Sequence, residues 1–291
     1  MSTLNLFISI LLSNTSPVIE LNEAIKTGKI NVEVSSNGNG LSDGMLTAQI
    51  QNTSTLKITL KIPVGQVFIC EEDPRQNLII VQEEIMALNA NQKLQKNLLG
   101  MCIEAGDMSP GSDIRYKPGS KANGDLLACA QFINTHQLYN STGQNAIWVF
   151  TDNHEIGWID AYNEHGTKLR EYVAKLKGVE NPWYSTSHIG NENHQLSDTY
   201  NASQPVLERY HMTQAEINGN FAWELKERTK ITFAIYNSQG QLIRTFFNDK
   251  VFNPGELSMR FHYKATHIAR GTYFARITNG EQVIAQREFT F

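Results

Sequence analysis

Hydrophobic and polar residues alternate along the last sixty or so residues of the chain. In the segment 230–237, Ile231, Phe233 and Ile235 fall on one face, and smaller or polar residues fall on the other. A period of two is typical of a half-buried β-strand. Turn sequences separate this segment from four similar ones, 242–247, 257–263, 272–278 and 282–291. Closely spaced strands with no helix between them predict a β-sandwich over 213–291.

The first third of the chain has a related pattern. Segments rich in Ile, Val, Leu and Thr predict strands at 30–34, 46–51, 56–62, 78–83 and 98–104. We therefore expect a β-sandwich-like N-terminal domain over 1–118. The apolar run 4–12 fits either a first strand or the core of a signal peptide. The strand is favoured because no Lys or Arg precedes the run.

The middle of the chain changes to helical periodicity. Apolar residues recur at 3.6-residue spacing in 126–137, and the amphipathic segment 168–177 stops at Gly178. In a third segment, 141–151, Ser141 stands three residues before Gln144, which is the spacing of a capping box. These segments predict a helical region over 119–180. The polar stretch 181–212, rich in Asn, Ser and His, is interpreted as a linker.

Together the segments predict a mainly β protein with a helical insertion, in which immunoglobulin-like β-sandwich domains flank an α-helical region. The net charge of −4 gives no reason to expect nucleic acid or an anionic membrane as a partner. No apolar segment is long enough to cross a bilayer as a helix. Three cysteines, Cys70, Cys102 and Cys129, form no metal-type pair and are too few, and odd in number, for a disulfide framework. We expect no metal and no cofactor.

The C-terminal segments also carry a family resemblance. The first of them ends at Asn237 before a turn at Gly240, Pro254-Gly255 breaks the chain, and the step Gly271-Thr272-Tyr273 leads towards the final strand. These features resemble the FlgD-like immunoglobulin module and the related C-terminal sorting domain of the type IX secretion system of Bacteroidota. The resemblance implies export, followed either by removal of the module or by its attachment at the cell surface.

A second resemblance concerns Cys102 and Gln144. Cys102 lies in a predicted strand, and the sequence from Gln144 to Trp148, Gln-Asn-Ala-Ile-Trp, lies in a predicted helix. This order resembles the thioester domains of bacterial surface adhesins, in which a strand cysteine is joined to the glutamine of a Thr-Gln-x-Ala sequence. The resemblance implies that the Cys102 thiolate attacks the Gln144 carboxamide, that ammonia leaves, and that the thioester then acylates a lysine of a partner. Gly143 stands where that family has Thr, and the two residues are closer in sequence than in that family.

Both residues also have a simpler interpretation, which is favoured. A lone buried cysteine packs as a small hydrophobe, and a capping box with Ser141 accounts for Gln144. No catalytic residue is therefore assigned, and the pair Cys102 and Gln144 is kept as a candidate thioester.

Other polar groups are weaker candidates for chemistry. The acids and imidazoles of 152–155 and 163–165 lack metal-site spacing, and His188 and His194 lie in the predicted linker. The Gly-x-Ser-x-Gly sequence at 40–44 would need a helix after its serine, whereas a strand is predicted there.

These patterns predict a non-enzymatic bacterial protein that is secreted or displayed on the cell surface. Its role would be structural or adhesive, through protein binding to a partner or through self-assembly. Two alternatives stay open. One is a cytoplasmic assembly or binding component, since thiols persist in reducing compartments. The other is an enzyme or covalent thioester adhesin centred on Cys102 and Gln144, with Asp152 and His154 nearby.

Overall fold

The computed structural model describes residues 18–161, 163–188, 214–266, 271–280 and 282–290. The predicted strand or signal peptide at 4–12, together with His194 and most of the predicted linker, lies outside these residues. The described part of the chain is mainly β, with several sheets and a helical stretch in the middle.

The three helices predicted from periodicity are present, and a short helix near residue 21 and a single 3₁₀ turn were not predicted. The helices are α1 (Leu21–Lys26), α2 (Gly124–His136), α3 (Ser141–Thr151), α4 (Glu164–Lys177) and a single 3₁₀ turn, Ile156–Trp158. Helix α3 has the predicted limits. Helix α4 ends at Gly178, whose φ of +67° lies in the left-handed region that glycine adopts at helix C-termini.

The strands fall into an N-terminal and a C-terminal group. The first group is β1 (Val18–Glu20), β2 (Ile30–Asn37), β3 (Leu46–Asn52), β4 (Ile58–Ile62), β5 (Gln66–Cys70), β6 (Leu78–Ile80), β7 (Glu84–Leu88), β8 (Lys93–Leu98), β9 (Gly100–Cys102) and β10 (Ser112–Lys121). The second group is β11 (Tyr184–His188), β12 (Gln214–Leu225), β13 (Thr229–Asn237), β14 (Leu242–Phe252), β15 (Gly255–Thr266), β16 (Thr272–Asn279) and β17 (Gln282–Thr290).

The N-terminal strands form two sheets that share a core. The smaller sheet has the order β1–β4–β7, and the larger has the order β8–β3–β2–β10–β5–β6–β9. One apolar cluster draws on both sheets and on α1, and includes Leu21, Ile50, Leu60, Phe68 and Leu78. The turn at 40–44 leads into β3, as predicted, and no helix follows its serine.

The helices cover the outer face of one end of the seven-stranded sheet. Leu78 and Cys102 belong to the core between the sheets, whereas Ile79 and Met101 belong to a second cluster with residues of α2, α3 and α4. Neighbouring residues of a strand point to opposite faces, so β6 and β9 are buried on both sides. The helical region therefore shares its core with the strands instead of forming a core of its own.

The C-terminal strands form two sheets around a third cluster that is rich in aromatic residues. The orders are β11–β12–β15 and β14–β13–β16–β17. Phe221, Phe233 and Phe289 are almost fully buried between them. The strands predicted from alternation are present, and β12 adds a long strand before them.

Strand β11 lies within 181–212, the segment that was interpreted as a linker. Tyr184–His188 pairs antiparallel with β12 over its whole length. The Ser and Thr residues of β11 are polar and gave no sign of a strand in the sequence. Two aromatic residues hold it in place: Tyr184 is buried, and Trp183 packs against Phe221 and Phe261. The short edge strand is thus held by aromatic contacts that lie far away in the sequence.

The helical layer meets the C-terminal sheets at the start of β11. The buried Arg170 of α4 donates from Nη1 to the Tyr184 carbonyl oxygen at 2.8 Å. A Cβ atom on Gly157 would lie 3.1 Å from the Tyr184 ring, so this approach leaves little room for a side chain. In the part of the chain that the structure describes, no helix combines the length and the apolar character needed to cross a membrane.

Candidate functional site

The start of α3 is fixed by Asn140. The Asn140 side chain accepts hydrogen bonds from Thr142 N at 3.0 Å and Gly143 N at 3.3 Å, so Asn140 is the N-cap residue. The predicted capping box between Ser141 and Gln144 is therefore wrong. It fails because the helix is capped one residue earlier, which leaves the Gln144 side chain available for another contact.

Gly143 lets the first turn of α3 approach the sheet closely. A Cβ atom here would overlap the Leu138 carbonyl oxygen and would lie 2.8 Å from Met101 Cε. The threonine of the adhesin motif would not fit at this position. The glycine therefore has a steric reason, and the close approach that it permits brings Gln144 to β9.

Gln144 forms two hydrogen bonds with the backbone of Cys102. The Cys102 N–H donates to Gln144 Oε1 at 2.9 Å, and Gln144 Nε2 donates to the Cys102 carbonyl oxygen at 2.8 Å. Both residues are buried, at 4% and 6% exposure. The structure thus brings together the two residues that the sequence singled out, and does so in a site largely shielded from water.

The position of Cys102 in its sheet explains this pairing. The backbone groups of Leu99 and Ile103, the odd-numbered residues on either side of β9, point towards β6. The Ile103 N–H donates to the Asn77 carbonyl oxygen, and the Leu99 carbonyl oxygen accepts from Val81 N. Backbone groups alternate in direction along an antiparallel strand, so those of Cys102 point away from β6. β9 is the last strand of the sheet, and the Gln144 amide occupies the place of the missing strand.

Trp148 and Asp152, the C-cap residue of α3, lie on the same side of the helix as Gln144. Gln144, Trp148 and Asp152 are four residues apart, so they line one side of the helix. Trp148 is 5% exposed and packs into the core shared by the sheets, whereas Ile147 belongs to the cluster with α2 and α4. Asp152 Oδ1 accepts from the Ala105 N–H at 2.9 Å. The face therefore follows the backbone from Cys102 to Ala105.

A half-buried carboxylate lies on the other side of this backbone. Glu104 accepts from the N–H and the side-chain amide of Asn77, each at 2.6 Å. Burial raises the pKa of the Glu104 carboxyl above its ordinary value, the bonds from Asn77 oppose this, and Asp107 and Asp152 raise it further. Asn77 in turn accepts from Cys70 N at 2.8 Å, which connects Glu104 to β5.

Tyr116 lies between two of the cysteines. Its hydroxyl donates to the Gln76 carbonyl oxygen at 3.0 Å. Burial is the main cause that raises the pKa of Tyr116, and the neighbouring thiols of Cys70 and Cys102 add to it. Burial alone raises the pKa of the Cys129 thiol, which belongs to the buried face of α2. The three cysteines, all within the described residues, form no disulfide.

The other polar residues considered from the sequence have contacts that are explained by packing or by helix capping. The His154 ring lies between the indoles of Trp148 and Trp158, with centroids 5.4 and 4.5 Å away. Asn163 caps α4 by accepting from Gly166 N at 2.8 Å. Within the described ranges, no three His, Cys, Asp or Glu residues converge in a way that could hold a metal ion.

Sequence reasoning missed Asn77, Glu104, Tyr116 and Asn140. The four-residue spacing of Gln144, Trp148 and Asp152 indicates one helix face, but it does not point to these four residues. The partners on β6, β9 and β10 depend on pairing over long sequence distances, which no local pattern reports.

Comparisons with known proteins add little to this geometry. No family model matches the chain, and no curated protein matches it. Among solved structures, a transglutaminase from red sea bream is similar, with 6% identity and a TM-score of 0.21. That match covers 92% of this chain and 32% of the other, so the chain spans about a third of the length of the transglutaminase.

Proposed function

We propose that the chain is a non-enzymatic structural or adhesive protein, which a bacterium exports or displays on its surface and which acts through protein–protein contacts. The observation that carries the proposal is the separate aromatic core of the C-terminal strands. All residues of this cluster come from 183–289, so the unit has its own hydrophobic interior. A self-contained β unit beside a larger domain is typical of modules that address or join other domains.

The C-terminal sheets also support the resemblance found in the sequence. We propose that they are the two layers of an immunoglobulin-like β-sandwich of the FlgD-like or sorting-domain kind. Supporting features are the turn at Gly240, whose φ is +78°, the break before Gly255, and the hairpin at Gly280 between β16 and β17. The first two are among the positions on which the resemblance rests.

Cell-surface proteolysis tests this proposal. Intact cells of the source organism are treated with a protease that does not enter them, and the protein is detected with an antibody. Loss of the protein from intact cells is expected, and a variant without 214–291 should be retained inside the cell. Full protection in intact cells, with digestion only after lysis, would favour the cytoplasmic assembly component instead.

A covalent thioester adhesin is the second candidate, and one observation favours it. The Gln144 carboxamide lies directly on Cys102, the residue whose thiol would attack it. In that step an Sγ–C bond forms, the C–N bond of the carboxamide breaks, and the nitrogen leaves as ammonia with the thiol proton. The buried position would protect the activated acyl group until a partner amine reached it.

The two hydrogen bonds between Gln144 and Cys102 also have a purely structural interpretation. This interpretation agrees with the main proposal of a non-enzymatic protein. An intact carboxamide is needed to donate to the Cys102 carbonyl oxygen and to accept from its N–H at the same time. A thioester would lose the donor and leave that carbonyl without this bond. The geometry of an uncrosslinked Gln144 therefore fits a structural amide that closes the sheet edge.

A further inference from the structure

The outer face of the four-stranded C-terminal sheet carries a preorganised guanidinium group. Arg276 lies over the ring of Tyr236, 4.7 Å from its centroid, and 5.5 Å from the centroid of Phe274. Its Nε donates to Gln286 Oε1 at 2.5 Å. Among the described residues no carboxylate lies within ion-pair distance of Arg276. The two ring contacts and the hydrogen bond thus hold the guanidinium in place.

Strand register places these residues in one patch. Tyr236 is opposite Phe274 and Leu242, and Arg276 is opposite Gln286. Inward-facing neighbours such as Ile235, Ala275 and Ile277 are buried, so the patch residues face outward. Leu242 is 58% exposed, and the two aromatic rings are half-buried. We call Leu242, Tyr236, Phe274, Arg276 and Gln286 the Arg276 patch.

The patch has the composition of a protein-binding hot spot. Tyr and Arg are enriched at such sites, and aromatic residues with few rotatable bonds lose little entropy on binding. A guanidinium held by stacking and by one hydrogen bond keeps its remaining N–H groups directed for a carboxylate. The chemistry that fits the patch is therefore a protein surface with clustered carboxylates.

The charges of the chain indicate where such a surface is found. Residues 214–290 contain 10 Lys and Arg against 7 Asp and Glu, a net charge of +3. Residues 18–188 contain 14 against 19, a net charge of −5. Glu71, Glu72 and Asp73 form the one run of three consecutive acidic residues in the sequence, and all three are exposed at the turn after β5. These two regions of opposite net charge favour contact between copies of the chain.

We propose that the Arg276 patch of one molecule binds the acidic turn 71–73 of a second copy of this chain. The two surfaces differ, so the contact is head-to-tail, and a dimer keeps one unused patch and one unused acidic turn. Repetition of the contact builds open chains, or a ring if the rotation closes. This inference rests on the proposed function in one respect, because it names the partner through which a structural protein would act.

Sedimentation velocity on the full chain tests the proposal. The wild type is expected to form species larger than a monomer at low salt. These should dissociate as ionic strength rises from about 0.01 M to about 1 M, over which the screening length falls from about 30 Å to about 3 Å. Arg276→Glu should weaken association at least about thirtyfold. Arg260→Glu, the same charge change on the exposed face of the other sheet, should leave it unchanged.

Mixing of variants gives the sharper result. Arg276→Glu keeps the acidic turn, and the double variant Glu71→Lys/Glu72→Lys keeps the patch. Each alone should be monomeric, and an equimolar mixture should form one-to-one dimers and nothing larger. Arg276→Gln, which removes the charge without reversing it, covers the case in which Arg276→Glu is unstable, and a thermal melt checks that each variant is folded.

Two results would overturn the proposal. One is a wild type that stays monomeric at low salt up to about 100 µM, well above the dissociation constant of a specific contact of this kind. The other is association that persists unchanged in folded Arg276→Glu or Arg276→Gln. A monomeric protein that is still digested on intact cells would refute self-assembly alone and leave the proposed function standing, with a different protein as the partner.

Discussion

At the scale of single residues, Gln144 is the side chain whose surroundings say most about the molecule. Its amide makes the two hydrogen bonds that the next strand of the sheet would have made to Cys102. A side chain can do this because its carboxamide has the same donor and acceptor as a peptide group. The sheet edge is thereby closed by a helix residue, and α3 is tied to β9.

Replacement of Gln144 should be costly because both Cys102 backbone groups are buried. We expect Gln144→Ala to lower the free energy of unfolding by about 2–4 kcal/mol, since each buried group left without a partner costs about 1–3 kcal/mol. Urea unfolding followed by tryptophan fluorescence measures the change. Gln95→Ala is the control: this exposed glutamine should cost about 0.5 kcal/mol or less. Equal small losses in both variants would show that the pairing does not stabilise the fold.

Glu104 gives the molecule a pH dependence with a definite sign. Its pKa is raised in the folded state, so the folded protein holds this proton more tightly than the unfolded chain does. The corresponding stabilisation is complete below the ordinary pKa of about 4.5 and is lost as pH rises through the raised pKa. Asp107→Asn removes a repulsive charge, so it should lower the Glu104 pKa and reduce this loss.

Carboxyl-carbon NMR titration measures the Glu104 pKa in both proteins. Asp43→Asn, at an exposed turn residue, serves as the control and should leave the Glu104 pKa unchanged. A Glu104 pKa that does not fall in Asp107→Asn would show that Asp107 does not contribute to raising it.

At the scale of elements, local periodicity predicted most of what depends on neighbouring residues. The limits of α3, the end of α4 at Gly178 and the strands β13 to β17 follow from patterns within a few residues. Strand β11 and the contacts of Gln144 could not be predicted in this way. Tyr184 pairs with Gly219, 35 residues away, and Cys102 lies 42 residues before Gln144. Pairing at such distances is set by the assembled core.

Two variants distinguish the observed N-cap of α3, Asn140, from the predicted one, Ser141. Asn140→Ala removes the acceptor for two N–H groups and should cost about 1 kcal/mol. Ser141→Ala should change the free energy of unfolding by less than about 0.5 kcal/mol, because Ser141 is exposed and is not the cap. Chemical unfolding of the two variants measures both values. The reverse order of costs would restore the capping box with Gln144.

The C-terminal unit should be more stable as an isolated fragment when β11 is attached. A fragment 181–291 retains Trp183 and Tyr184, which pack on Phe221 and Phe289, and should show a cooperative all-β transition. A fragment 214–291 loses both rings and should be less stable by about 3–5 kcal/mol, the range for one large aromatic residue. Circular dichroism melts compare the two. Equal stability would mean that β11 is only an appendage to the sheets.

At the scale of the whole molecule, one arrangement connects these contacts. The N-terminal sheets hold α3 through Gln144 and Asp152, and α4 holds β11 through the buried Arg170. The polar groups next to Cys102 therefore serve as joints between layers. These contacts between layers are consistent with the non-covalent structural role proposed for the chain.

The measurement that tests this account most directly is the intact mass of the protein from its native source. With Gln144 as a structural amide, the mass of the chain should show no loss of ammonia, methylamine should not be incorporated, and Cys102 should react with a thiol reagent after unfolding. A mass lower by about 17 Da, the loss of one ammonia, would contradict the account. It would establish a thioester if methylamine uptake accompanied it and if Cys102→Ala abolished both effects.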